Sequence, residues 1–281
     1  KKIIVIEGPS WIGYSFLTLL IIKIFNPTIK IIYHSHSIEY EVRKMSSSRI
    51  IINLTKFLES FVYRFADIAT SVSEIEKKKL NKLYKVNTTN LNNGISKKII
   101  NFSKKKIINL NYVIYCGSYK YLPNKLAIDF LINKIMPSVV KIYPKLKLVL
   151  TGRGYEGKAN FLINLGLVKK RNLFNLIYNS KAMLVPLDKG TGTRIKIIEA
   201  LSLGSIVLST PKGAEGIKLK KLKNKNLFIA SKNKFIGEIK KILKKKKSYI
   251  NLKYFHEEYM MENIVSKFFK EKNVKNIFKK N

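Results

Sequence analysis

With 281 residues, 46% of them hydrophobic, the chain is long enough for two domains that each bury a core, and its composition excludes a disordered or fibrous protein. A single cysteine, Cys116, excludes a disulfide framework and any cysteine-based zinc site, and suits a reducing cytoplasm. The net charge of +38 admits nucleic acid or an anionic membrane as partner. Only six of the 55 basic residues are arginine, however, in a background saturated with Lys, Ile and Asn. Dedicated phosphate readers favour the arginine fork, so the charge is read as coding bias, with attraction to anionic lipid as its by-product.

The chain opens on a strand at residues 3–6 (IIVI), followed by an apolar run at 14–25. That run is about half the length a bilayer requires and Lys23 interrupts it, so it predicts a buried helix between two parallel strands, the second at 29–33. His34 and His36 follow at the carboxyl end of that strand, where open α/β sheets place ligands. The two side chains are expected on opposite faces of the segment, so the pair is not read as sharing a metal ion. A long helix over 50–65 carries Phe57, Phe61, Tyr63 and Phe65, read as core and interdomain packing. A strand over 66–73 runs into Ser73, an N-cap for a helix over 74–83. An Asn-Gly pair follows at 93–94, and 104–111 reads as a linker.

The second domain starts with a strand at 112–116 and Gly117, then a helix over about 125–142. The next strand, 147–151, ends in Gly152-Arg153-Gly154. Single glycines after strands are weak signs of a phosphate cradle, strengthened when they meet at one end of a parallel sheet. The richest stretch is 186–216, PLDKGTGTRIKIIEALSLGSIVLSTPKGAEG. It predicts the end of a buried strand, a loop of Gly190, Thr191, Gly192 and Thr193, a largely buried helix over 194–203 with apolar Ile195, Ile198, Ala200 and Leu201, a stop at Gly204, and a strand over 205–209. Such a loop at a helix start leaves amides free for an anion. Arg194 and Lys196 put positive charge at the wrong end of the helix for its dipole, which an anionic ligand would explain. Glu199 is either a solvated carboxylate or one that accepts both hydroxyls of a vicinal diol such as a ribose. A last strand at 226–229, a Lys-rich helix over 235–247 read as a solvated face, and a terminal helix over 254–269 complete the chain.

The string GTGTRIKIIEALSLGSIVLST with GAEG after it resembles the donor-site block of the family 4 (group 1) glycosyltransferases of the GT-B fold, in the branch that writes it Gly-x-Gly-x-Arg-x-Lys-x-x-Glu-Ala. Residues 36–41 (HSIEYE), 66–80 (ADIATSVSEIEKKKL) and 93–95 (NGI) are similar to other segments of that family. The resemblance implies two Rossmann-like α/β domains facing across a cleft: an acceptor-side domain over 1–103 that begins in mid-domain, a linker over 104–111, a nucleotide-sugar domain over 112–250, and a terminal helix over 251–281 packed back on the first domain. It implies a retaining, metal-independent transfer of a hexosyl group from a nucleotide diphosphate sugar to a glycan or lipid-linked acceptor in cell-envelope polysaccharide synthesis, in the cytoplasm at the inner face of the membrane. No cofactor is implied. Gly117, Gly152, Gly190, Thr191, Gly192, Thr193 and Glu199 would bind the donor, Glu199 gripping the ribose. Arg194 and Lys196 would neutralise the leaving diphosphate, and His36 would line the sugar pocket. Thr191 stands where many members carry a first Glu, and Ser118 and Pro123 stand where many carry an Arg and a Lys; Arg194 and Lys196, with Lys125 as a further candidate, are the expected substitutes for that charge. Two rival readings are a GT-B protein that no longer catalyses and a charge-driven nucleic-acid binder, the latter without any recognisable binding module.

Overall fold

The computed structural model describes residues 2–8, 11–99, 101, 103–217, 226–245 and 252–278. The chain forms two compact units, one of Lys1–Gly94 with Gly190–Thr193 and Glu258–Asn281, the other of Ile95–Lys189 with Arg194–Glu257. The first unit runs β1 (Ile3–Glu7), α1 (Ile12–Phe25), β2 (Lys30–His34), α2 (Glu39–Arg43), α3 (Arg49–Phe65), β3 (Ile68–Ser71), α4 (Glu74–Tyr84) and β4 (Thr89–Asn90). Its sheet is ordered β1-β2-β3-β4 with every pair parallel.

Alternation along β2 sorts the core of this unit into two layers. Ile31 and Tyr33 face one way, into a cluster with Leu19 of α1, Val62 and Tyr63 of α3 and Leu80 of α4. Ile32 faces the other way, with Ile68 of β3, against Phe268 and Val274 near the end of the chain. Asn273 also hydrogen-bonds Thr89. The predicted terminal helix is divided: α10 (Leu252–Tyr259) and α11 (Met261–Lys270) are separated by Met260, which has extended backbone, and α12 (Lys272–Phe278) follows. Gly94 lies at that break. A Cβ there would stand 2.8 Å from Tyr259 O and 2.7 Å from the Ile264 side chain.

The first helix departs from its predicted burial. Ile12 and Leu19 are buried, but Tyr14, Leu17, Ile21, Ile24 and Phe25 are exposed on the opposite side. In α3 likewise Tyr63 is buried and Phe61 half-buried, whereas Phe57 and Phe65 face solvent rather than a core.

The second unit runs β5 (Tyr112–Cys116), α5 (Leu122–Phe130), a π-helical turn (Leu131–Ile135), α6 (Met136–Val140), β6 (Lys147–Thr151), β7 (Leu162–Asn164), α7 (Lys170–Asn179), β8 (Met183–Val185), α8 (Ile195–Ser202), β9 (Val207–Ser209), β10 (Leu227–Ile229) and α9 (Phe235–Lys244). Its six strands are ordered β10-β9-β8-β5-β6-β7, all parallel. Every residue of β5 and β8 is buried, as strands covered on both faces require. The stretch predicted as linker is anchored to α7, where Asn175 Oδ1 accepts from Lys105 N at 2.5 Å and Asn179 Nδ2 donates to Lys105 O at 2.8 Å. The end of the Lys-rich helix at Lys247 and the 250/251 boundary lie outside the described residues.

Two buried carboxylates fix the chain just after His36. Glu59 of α3 accepts Glu39 N at 2.7 Å, Tyr40 N at 3.0 Å and the Tyr84 hydroxyl at 2.6 Å. These are the first two amides of α2, which otherwise has no side-chain cap. Glu76 accepts Val72 N at 3.0 Å, while its own amide donates to Ser73 Oγ at 3.2 Å, the predicted cap. Burial pushes both carboxyls up to about 7. For an acid raised in the folded state, the stabilisation is complete below the unfolded value and is lost as pH rises through the folded one. Glu59→Gln keeps a neutral group but loses one acceptor. The variant is expected to be less stable by about 1 kcal/mol at acid pH. Its deficit should shrink as pH rises through about 7, read by chemical denaturation across that range. A deficit that grows with pH would contradict this assignment.

Candidate functional site

In the second unit the chain leaves β5 toward β6 and β7 on one side, then crosses to β8, β9 and β10 on the other. β5 and β8 are neighbours in register at Ile114 and Met183. The carboxyl ends of these two strands therefore form a topological switch point, where open α/β sheets leave a crevice for ligands. The loops after β5, β6, β8 and β9 all emerge at that edge of the sheet, because all the strands are parallel.

Three of these turns are built to let backbone approach closely. Gly117 N donates to Thr151 O at 2.8 Å, and a Cβ on Gly152 would stand 2.3 Å from Gly117 O. Gly152 also has φ +129°, so a side chain is excluded there on both counts, and a Cβ on Gly117 would stand 2.8 Å from the Asn124 side chain. Gly213, after β9, would place a Cβ 2.3 Å from Ser209 Oγ and 2.8 Å from Val185 O. Ser118 and Tyr119 hydrogen-bond Arg153 O, and Lys125 lies over the Tyr119 ring at 5.6 Å.

Helix α8 starts after Arg194, which has extended backbone and provides no side-chain cap; the first turn has no acid. Its Ile197, Ile198, Ala200 and Leu201 are buried. Ile195, predicted on the buried face, is exposed instead: the buried stripe is 197/198/201, one residue out of phase with it. Gly204, at φ +74°, ends the helix as predicted, with Ser205 N donating back to Ala200 O at 2.9 Å.

Lys196 points toward β5. Its Nζ lies 3.1 Å from Asn124 Oδ1 and 3.4 Å from the Tyr115 hydroxyl, over the Tyr115 ring at 4.5 Å. Tyr115 in turn donates to Asn124 Oδ1 at 2.7 Å. Burial lowers the lysine to about 8. Arg194 is half-buried, held below the usual arginine range by burial, and donates to Lys189 O at 3.4 Å. Glu199, its side chain 15% exposed, pairs with Lys170 at the start of α7 at 3.4 Å. A carboxylate sheltered to that degree is not the solvated one of the simpler reading. Burial pushes the Cys116 thiol up to about 11, which removes it as a nucleophile.

Gly190–Thr193 packs with the first unit. Thr193 Oγ1 donates to Val72 O at 3.2 Å, and a Cβ on Gly192 would stand 2.7 Å from His36 O. Gly192 has φ +74°, so glycine is required there on both counts. His36 and the 190–193 loop thus come together. His36 is exposed and meets His34 edge to face, the ring centres 4.7 Å apart. The expectation that the two rings face opposite ways fails, because residues two apart along an extended segment share a face, as Ile31 and Tyr33 do in β2. His34 bonds Thr70 Oγ1 at 2.8 Å and is lowered by burial to about 4, a structural histidine. Among the described residues no group of three or more His, Cys, Asp or Glu side chains could hold a metal ion.

Asn124, Tyr115 and Lys170 were not singled out by sequence; they are partners of residues that were. Glu59 carried a legible signal, as an acid on the buried stripe of α3 with Thr55, Leu58 and Val62.

Residues 111–245 match the model of a family described as glycosyl transferases group 1. Over 128 residues the chain is 27% identical to an uncharacterized 44.6 kDa protein in the cps region of Klebsiella pneumoniae, covering 41% of this chain and 32% of that protein. The match thus spans about a third of the length of that relative. Among solved structures the chain is similar to Anabaena HepE in complex with UDP and glucose (TM-score 0.70, 12% identity, covering 94% of this chain and 76% of that one). It is also similar to sucrose-phosphate synthase from Thermosynechococcus elongatus (TM-score 0.67, 14% identity, 98% and 70%). A third is a UDP-forming alpha,alpha-trehalose-phosphate synthase from Burkholderia xenovorans (TM-score 0.71, 8% identity, 99% and 74%). At these identities the likeness establishes the fold. The chain has the GT-B fold, two parallel-sheet Rossmann-like α/β units, and its residues 111–245 carry the match to group 1 glycosyl transferases.

Proposed function

We propose that the protein is a retaining glycosyltransferase that moves a sugar from a nucleotide diphosphate sugar to a glycan or lipid-linked acceptor in cell-envelope polysaccharide synthesis. The observation that carries this reading is the switch point between β5 and β8, where Gly117, Gly152 and the start of α8 with Lys196 converge within the stretch matching group 1 glycosyl transferases. UDP is the nucleotide favoured, since UDP is bound in the similar HepE structure and in that of the pneumococcal O-GlcNAc transferase GtfA.

Transfer demands that negative charge growing on the departing diphosphate be stabilised where water is excluded. Arg194, Lys196 and the amides of Gly190, Thr191, Gly192 and Thr193 take that role in this proposal, so no metal or other cofactor is required. Glu199 accepts the ribose hydroxyls, exchanging its Lys170 partner for them, and His36 lines the sugar pocket. The leaving phosphate assists the acceptor on the same face of the sugar, and no side chain acts as nucleophile.

UDP at about a hundred times its dissociation constant should stabilise the folded protein by roughly 2.7 kcal/mol, a rise in Tm that Glu199→Ala and Arg194→Ala each remove while leaving the unliganded Tm near wild type. Full stabilisation of both variants would contradict the site. Lys196 adds a pH dependence. Above about 8 the free protein's Lys196 is neutral and binding must take up a proton, so affinity for UDP should weaken by up to about tenfold as pH rises past that point. Lys196→Met should bind weakly throughout and lack this dependence in calorimetric titrations. A flat profile in the wild type would remove Lys196 from the diphosphate site.

A further inference from the structure

One uncharged side chain of the second unit reaches every part of the arrangement around Lys196. Asn124 is the third residue of α5 and is buried. Its Oδ1 accepts from the Tyr115 hydroxyl at 2.7 Å and from Lys196 Nζ at 3.1 Å, and its Nδ2 donates to Ser118 O at 3.0 Å. The amide thus joins β5, the loop after β5 and the start of α8. The absence of a side chain at Gly117 is what lets the amide lie against the backbone there. These partners leave the amide one orientation. Turned about, it would set its NH2 group against the Lys196 amine and its oxygen against Ser118 O. Burial pushes the Tyr115 phenol well above its usual range, so the hydroxyl keeps its proton and donates. The oxygen that meets Lys196 is therefore fixed by Tyr115, Ser118 and Gly117 together.

An amide and a carboxylate differ in what they leave for a ligand. The titratable groups that face the amine are Tyr115 and Cys116 of β5 and Arg194 at the start of α8, none of them a carboxylate. Glu199, further along α8, is engaged with Lys170. An amide oxygen orients the ammonium group yet leaves its full charge to be met by an anion. A carboxylate in the same place would meet that charge itself and repel the anion.

We propose that Asn124 is a positioning residue of the site: it holds the Lys196 amine and the loop after β5 in one arrangement and leaves the charge of the amine to the phosphates of a nucleotide. This rests on Lys196 being a diphosphate ligand. Two variants of the full chain, Asn124→Asp and Asn124→Leu, test it with two readouts. One is the titration of Lys196 in the free protein, followed by competitive amine labelling with acetic anhydride and mass spectrometry. The other is affinity for UDP near neutral pH, by calorimetry. An acid in the first turn of a helix is favourable and leucine is a good helix former, so both variants should fold, which circular dichroism checks. Asp should carry the Lys196 midpoint from about 8 to about 9 or higher, and Leu should lower it. Both should weaken UDP binding about tenfold, Asp by engaging the amine and repelling the anion, Leu by leaving the amine unguided. A general loosening of the fold would instead carry the lysine toward its ordinary value in both. Tyr115→Phe leaves the amide fixed by Ser118 and should weaken UDP less than about threefold. Midpoints that move the same way in both Asn124 variants would overturn the proposal. So would a loss in Tyr115→Phe as large as in Asn124→Leu. Wild-type affinity in both Asn124 variants would overturn it too and leave the donor site standing. A wild type that does not bind UDP would remove the donor reading itself, while the two titrations alone decide whether Asn124 holds the amine.

Discussion

The constraint on which the candidate site depends is the parallel pairing of β5 with β6 on one side and β8 on the other. Parallel strands send all their following loops to one edge of the sheet, and the reversal of direction at β5 opens that edge between two of them. Gly152 is a glycine because the loops that follow neighbouring strands pass within contact distance of each other, and Gly117 because the Asn124 side chain closes over it. Lys196 is held over Tyr115 because α8 starts beside the end of β5. Its low proton affinity has the same origin: the amine lies between a tyrosine ring and Asn124, away from bulk water. A group poised to lose its proton near neutrality, with its hydrogen bonds pre-arranged, is suited to meeting an anion that restores its charge.

The first unit depends on a different device. A buried acid is costly unless its oxygens are satisfied, and Glu59 is satisfied by the amides that open α2 and by Tyr84. The gain is geometric. The segment leaving β2 makes a turn, with Ser35 Oγ donating to Ser37 O at 2.9 Å, and is then gripped at Glu39 and Tyr40. His36 lies on a short span fixed at both ends, an exposed side chain on an ordered loop. The two-layer core beneath it uses the beginning and the end of the chain together, Ile32 and Ile68 packing on Phe268 and Val274.

Local patterns made much of this legible. Apolar runs closed by Pro or Gly marked β5, β6 and β8, Ser73 marked the start of α4, and Gly204 the end of α8. Each of these is decided by residues within a few positions of the feature. What local pattern could not give was which face of a helix meets the core. The apolar run of α1 predicts burial, and Phe57 and Phe65 of α3 likewise, but hydrophobicity alone does not decide which side packs. Both helices are apolar on two sides and only one side of each packs. The break at Met260 was equally hidden, since neither Gly nor Pro marks it; it coincides with the approach of Gly94, a contact between distant parts of the chain. Lys196 and Glu199 were singled out by type and spacing, but their partners Asn124, Tyr115 and Lys170 come from other elements and only folding assembles them.

The most direct measurement is a crystal structure of the protein with bound UDP. The account predicts the diphosphate over the start of α8, within hydrogen-bonding reach of Arg194 and Lys196, and the ribose hydroxyls on Glu199 with Lys170 displaced. A nucleotide bound elsewhere, or one that leaves the Glu199–Lys170 pair intact and its ribose uncontacted, would contradict it.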